Sequence, residues 1–195
     1  MKTTEYRGVE GLVYAEVTED TSENYNAGDV KELAGTSELS RSTESSSEAH
    51  YYDNMPAVVI DSTGADEVTA SVSAIPLEVL ADITGQYYDT TTGMFVEGTR
   101  EPKYFALGYR TKKTDGTEIL VWRLKGTFSI PESTHVTEND GTDANGQEIT
   151  FTGISTTHKF KKTGKGAKAI NVPAEKIDAT DFFAAVHAPD TVTAS

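Results

Sequence analysis

Few residues in this chain have types and spacing that could do chemistry. The histidines, His50, His135, His158 and His187, could ligate a metal or move protons, but they share no metal-ligand spacing. The run Asp140-Gly-Thr-Asp-Ala-Asn-Gly-Gln-Glu148 imitates a calcium loop. With Gly146 at the turn glycine, Gly141 and Thr152 fall at the first and last ligand positions, where the ion needs carboxylates. An exposed acidic turn fits better. Gly164-Lys-Gly-Ala-Lys-Ala imitates a phosphate cradle but lacks the full spacing and a strand–turn–helix setting; it reads as a mobile basic linker. No Ser/His/Asp order, paired-acid motif or nucleophile elbow is present. The absence of cysteine removes disulfides, thiolate zinc sites and cysteine nucleophiles together. No catalytic, cofactor-binding or metal residues are expected, and the chain does not read as an enzyme.

Charge points the same way. The sequence holds 17 basic and 31 acidic residues, a formal net charge of −14. Affinity for nucleic acid comes from cations, so this chain should repel DNA rather than hold it. No run approaches the ~20 apolar residues of a membrane span, and the N-terminus lacks the apolar core of a signal peptide. A soluble chain that does not bind membranes, made in a cytoplasm, is expected. Hydrophobic content is 36% over 195 residues, low for a globule of this size. Loops, arms, or surface completed by a neighbouring subunit would explain it.

The elements that must position these residues are mostly strands. Ala74 to Tyr88 is the best helix candidate. Pro76 fits a first turn, Glu78 suits the positive end of the dipole, and Gly85 fits a left-handed close. Leu77, Leu80 and Ile83 or Thr84 share one face, so Leu77 and Leu80 are expected in the core. So short a helix is unstable alone and must lie on a sheet.

Strands are expected over Gly11–Thr18, Val30–Ala34, Val58–Asp61, Asp66–Ile75 and Met94–Val96. In Gly11–Thr18 either face could point inward. Asp66–Ile75 alternates cleanly, Val68, Ala70 and Val72 against Thr69, Ser71 and Ser73, as in a strand with one packed and one wet face. Tyr104–Lys113 places Phe105, Leu107 and Tyr109 together; Asp115-Gly116 signals a hairpin turn. Glu118–Ile130 returns with Leu120, Trp122, Leu124 and Phe128 on one face, Arg123 and Lys125 on the other. Leu107, Trp122 and Phe128 are expected in the core, with Trp122 as an anchor. Gln147–Phe160 reads as a last long strand. Lys159–Lys168 is rich in lysine, and a short helix capped by Thr180 or Asp181 would carry Phe182, Phe183 and Val186.

Thr36–His50 is unusual: eight of its fifteen residues are Ser or Thr, with Glu38, Glu44 and Glu48 among them. Two readings stand. It is either a disordered loop or a long β-hairpin arm whose partner is another subunit.

A set of motifs in fixed order goes further. They are Tyr14-Ala-Glu-Val-Thr, Leu33-Ala-Gly, Ile75-Pro-Leu-Glu-Val-Leu-Ala-Asp-Ile-Thr-Gly and Tyr88-Asp-Thr-Thr-Thr-Gly. With Tyr104-Phe-Ala-Leu-Gly-Tyr-Arg and Val121-Trp-Arg-Leu-Lys-Gly-Thr-Phe-Ser-Ile-Pro-Glu they resemble the major tail tube proteins of long-tailed, non-contractile bacteriophages. The likeness runs from Gly8 to Phe160.

That resemblance implies a mostly-β fold, a two-sheet β-sandwich or split barrel with one short flanking α-helix, a long loop and terminal arms. It implies a tube β-domain over residues 1–160, with residues 36–55 as an extended inter-ring loop or arm, and residues 161–195 as a basic linker and C-terminal arm. Six subunits would form a ring that adds strands to a continuous inner barrel, and stacked rings would form a virion tail tube, assembled in the host cytoplasm. The partners implied are other copies of the chain, a tape measure protein, tail-tip or baseplate and tail terminator proteins, and DNA in transit. Ser40, Glu44, Glu48, Tyr51 and Tyr52 would serve the inter-ring loop, and Glu16 and Glu67 are candidate lumen acids. A deletion of Lys159–Ser195 should weaken stacking. Two other readings compete: a monomeric carbohydrate-binding β-sandwich with Tyr87, Tyr88, Tyr104 and Tyr109 as a stacking face, and the tube protein of a contractile injection system.

Overall fold

The computed structural model describes residues 3–52, 54–135 and 145–193. Along them run β1 (Tyr6–Asp20), β2 (Tyr25–Ala27), β3 (Lys31–Glu32), β4 (Thr36–Tyr52), β5 (Met55–Val72) and α1 (Leu77–Thr84). Then follow β6 (Tyr87–Asp89), β7 (Met94–Val96), β8 (Phe105–Lys113), β9 (Glu118–Phe128), β10 (Glu132–Ser133), β11 (Gln147–Gly153), β12 (Ala169–Pro173) and α2 (Ala179–Ala184). The mostly-β fold expected from the sequence is present. A main sheet curls into an open half-barrel, and β6–β7 form a small second sheet. The main sheet orders its strands β2-β1-β8-β9-β11-β5-β4, with β3, β10 and β12 paired beside this path.

Alternation in β1, β8 and β9 is apolar on both faces, so the sheet needs cover on both. Leu12 and Tyr14 from β1, Phe105, Leu107 and Tyr109 from β8, and Val68, Ala70 and Val72 from β5 share one buried cluster. That cluster also takes in Leu39 of β4, so it draws on both ends of the strand order and lies inside the curl. Ala106, Leu120, Trp122 and Leu124 form the second cluster on the outer face.

The chain's C-terminal part covers that second face. The strand expected to reach Phe160 ends at Gly153. Of residues 161–195, expected as a linker and arm, the described ones, 161–193, instead fold back. β12 pairs with β9 from Ile119 to Arg123, and Phe160, Ile177 and Phe182 pack with Trp122. Trp122 donates from Nε1 to the Phe182 carbonyl at 3.0 Å. The Gly164 segment is pinned, not mobile: Asp190 accepts from the backbone N–H of Lys161 and Lys162 at 2.8 and 2.9 Å. Asp178, rather than Thr180 or Asp181, caps α2 through the Thr180 N–H at 2.7 Å. The apolar outer face of β9 is the cause, since exposing it would lose roughly 1.5–3 kcal/mol per large side chain.

β9 also corrects the placement of Phe128. Leu107 pairs with Arg123 and Phe105 with Gly126, so β9 spends three residues where β8 spends two. This bulge shifts the alternation, and Phe128 joins the inner cluster, opposite Trp122. α1 forms as expected, closed by Gly85 at φ 66°, and Gln86 N–H reaches back to the Ala81 carbonyl at 2.9 Å. Pro76 sits at the N-cap, just outside the first turn. Ala81, Ile83 and Thr84 face the sheet, and Leu80 packs at their edge. Leu77 is not in the core: it is 49% exposed, because α1 meets the sheet through its last turn and the first turn overhangs.

Candidate interaction surface

Of the two readings of Thr36–His50, the structure has the hairpin: β4 and β5 pair from Thr36↔Val72 to Tyr52↔Met55. Val58–Asp61 and Asp66–Ile75, expected as separate strands, merge into β5. Asp66–Val72 also pairs with β11, but residues 55–65 have β4 as their partner strand. From Thr43↔Asp66 outward, the hairpin is thus a two-stranded ribbon of nine residues of β4 against eleven of β5, with bulges that take up the difference, or ~30 Å at ~3.3 Å per residue of β4. Ser and Thr favour this extended backbone, and Ser46 and Ser62 hydroxyls bond across it at 2.6 Å.

A free-standing hairpin is marginal in water, and this one is apolar at its far end. Tyr51 (66% exposed), Met55 (67%), Val58, Val59 and Ile60 (55%) all stand in solvent. β4 ends the strand order, so its outer edge pairs with no strand among the described residues. An exposed edge with exposed apolar side chains is a template for another chain.

The outer face of this half of the sheet is wet. Its rows run across the strands as Glu38, Ser71, Glu148; Ser40, Thr69, Thr150; and Ser42, Glu67, Thr152, Thr127. Thr69 and Thr150 share a hydroxyl contact at 3.3 Å. Alternation carries the same face out along the arm through Glu44, Ser46 and Glu48. β4, β5 and β11 put no lysine or arginine on this face. Of the two candidate lumen acids, Glu67 lies on this face and Glu16 does not. Glu16 pairs with Phe105 on the inner-cluster side and holds Lys103 at 3.1 Å, so the two acids lie on opposite faces. Glu38 and Glu148 share this face with Glu67, and the even-numbered alternation of β4 marks the first of them.

At the arm's root the inner face carries charge. Buried Asp66 accepts from Arg123 Nη1, from Lys168 Nζ at 3.4 Å and from Thr43 Oγ1 at 3.0 Å, and Arg41 lies 3.8 Å away. Burial pushes the Asp66 carboxyl up, but the Thr43 hydroxyl and the Arg123 and Lys168 charges outweigh it and hold it below its ordinary range. Arg123, expected on a polar face with Lys125, is therefore buried. The backbone bulge sends Lys125 to Asp20 instead, at 2.6 Å. Asp66, Arg41, Arg123 and Lys168 line an open cavity of 970 Å³ inside the curl, walled by Tyr6, Val9, Leu39 and Ile119.

The remaining candidates do not converge. Tyr87 and Tyr88 line a 590 Å³ cavity beside α1 with Lys31 and Asp82. Tyr109 is buried in the inner cluster, and Tyr104 lies under Lys125 Nζ, 4.7 Å from its ring centre. The four tyrosines therefore form no single stacking face. Among the described residues no three His, Cys, Asp or Glu side chains gather as metal ligands. The calcium-like run falls at 140–144 outside the described residues. The chain matches no protein-family model and no curated protein.

Proposed function

We propose that the chain is a structural subunit of a tube that conducts DNA, of the tail-tube kind its motifs resemble. The observation that carries this reading is the wet outer face of β4, β5 and β11. It offers hydroxyls and the carboxylates of Glu38, Glu67 and Glu148 and no cation. Phosphates are held by lysine and arginine; a wall without them lets a duplex slide. Carboxylates repel it within a Debye length of ~8 Å at physiological salt. The unpaired β4 edge supports closure by a neighbour, since a ring of copies completes the sheet and removes the edge. On the resemblance the ring holds six copies, stacks into a virion tail tube, and meets tape measure, tail-tip and terminator proteins.

Sedimentation velocity and negative-stain electron microscopy from dilute to concentrated protein test this. Rings or tubes of uniform width with a central channel are expected. A protein that stays monomeric at every concentration, also when tail tips are supplied as nuclei, overturns the reading. In tubes, Glu67→Lys with Glu148→Lys should leave assembly intact and slow DNA passage; unchanged passage removes the assignment of this face to the lumen.

A further inference from the structure

The arm tip and the inner cavity of the half-barrel complement one another. The tip is an extended run, Val58-Val-Ile-Asp61, with its apolar side chains in solvent and a carboxylate at its end. The cavity has apolar walls from Tyr6, Val9 and Leu39 and a cationic floor. On that floor Arg41, Arg123 and Lys168 face Asp66, three cations to one acid in a chain of net charge −14, while Glu38 borders the rim from the outer-face row. The floor also has donors to spare. Arg123 is already paired with Asp66 and buried, whereas Arg41 is 51% exposed with Asp66 no nearer than 3.8 Å, so its guanidinium is open to a further carboxylate.

The tip cannot reach the cavity of its own chain. Thr43, Thr63 and Asp66 at the arm's root line that cavity, and the paired ribbon carries Asp61 and Val58 five and eight residues beyond Asp66, roughly 16 and 26 Å away from it. We propose that the tip of one copy seats in the cavity of a second copy, with Asp61 on the Arg41–Arg123–Lys168 cluster. On the tube reading the contact is heterologous, each copy giving a tip to one neighbour and receiving one from another, and such contacts propagate into rings or stacks, whereas reciprocal exchange between two copies would close as a dimer. This docking rests on the tube reading and names the site that receives the arm.

The test uses Arg41→Glu, Asp61→Lys and the double variant in the full chain, with half-association concentrations from sedimentation velocity. Each single change should raise that concentration about tenfold or more, and the double should return it to within about threefold of wild type. Urea unfolding followed by Trp122 fluorescence checks that each variant folds. A second measurement does not depend on charge. The cysteine-free chain is given Tyr6→Cys and Val59→Cys, both at exposed positions, and a flexible bismaleimide should then link assembled protein into a ladder of multimers. If wild type never associates, the tube reading and this docking fail together. If wild type associates while the variants match it, the double gives no rescue and no ladder forms, the docking is overturned and the tube reading stands.

Discussion

Asp66→Asn tests how the arm is rooted in the sheet. In the folded chain one buried carboxylate answers Arg123 and Lys168, takes the Thr43 hydroxyl at 3.0 Å, and has Arg41 nearby. Asparagine keeps the shape but not the charge, and leaves Arg123 buried against a neutral group. Removing one partner of a buried pair costs about 3–5 kcal/mol. Arg41 is half-exposed and adds little. Lys168 and Arg123 border an open cavity and recover some hydration, so the lower end, about 3 kcal/mol, is expected. At a urea slope of roughly 2–3 kcal/mol/M for a chain of this size, the midpoint should fall by about 1 M. The single tryptophan, Trp122, is fully buried next to Arg123 and reports the transition.

The pH dependence supplies a second readout. The Asp66 carboxyl is held below its ordinary value of 3.8 in the folded chain. A depressed folded pKa stabilises above the unfolded value, and that contribution is lost as pH falls through the folded one. The gap between wild type and Asp66→Asn should therefore be constant from about pH 5 to 8 and narrow below about pH 4. A gap under about 1 kcal/mol at neutral pH would show that water, not Asp66, balances the cluster. A gap that does not narrow in acid would show that the lost stability is not the carboxylate's charge.

Asp20→Asn should loosen the segment after β11, because Asp20 accepts from Lys125 Nζ at 2.6 Å and from the N–H of Thr157 and His158 at 2.8 and 2.9 Å. A loss of about 2–3 kcal/mol with faster amide exchange at both residues is expected; unchanged protection refutes it. Gly126→Ala places a Cβ 2.4 Å from the Phe151 ring and the Thr152 carbonyl, so a loss of about 2–3 kcal/mol is expected in thermal unfolding. A wild-type transition would mean the bulge can move. Deleting Lys159–Ser195 strips Phe160 and Phe182 from Trp122. It should red-shift tryptophan emission and abolish cooperative unfolding, rather than leave a folded subunit that stacks poorly. A truncated chain with native emission would refute that.

Where local pattern and tertiary need agree, the fold was legible. Asp115-Gly116 turns the β8–β9 hairpin with Gly116 at φ 88°, and Gly85 closes α1 at φ 66°. β5 keeps the alternation of Val68, Ala70 and Val72. The misplaced residues share another cause: their position is set by distant partners. Phe128 changes face because β9 bulges, with Gly126 tucked beneath Phe151 from β11. Leu77 has the right spacing, but α1 touches the sheet through its other end. Arg123 reads as a surface cation until Asp66, 57 residues away in sequence, comes beside it. The C-terminal residues read as an arm because local sequence does not reveal that Trp122 needs a lid.

The described surface leaves three needs unmet within one copy: an unpaired edge on β4, an apolar tip in water, and a cavity bordered by the half-exposed guanidinium of Arg41. Singly, each is a liability that small proteins blunt with charge or cover. Together they are complementary in kind, edge to strand, tip to wall, carboxylate to guanidinium, and two of them sit at opposite ends of the same ribbon. Self-association therefore explains them better than an unrelated ligand, which would have to match all three independently. The net charge of −14 acts against this at long range, so on the proposed docking dilute copies would repel one another, and the short-range contacts would take effect only when tip and cavity meet in register. This combination of long-range repulsion and local complementarity is what the proposed tube subunit would need in order to stay dispersed until it joins a growing assembly.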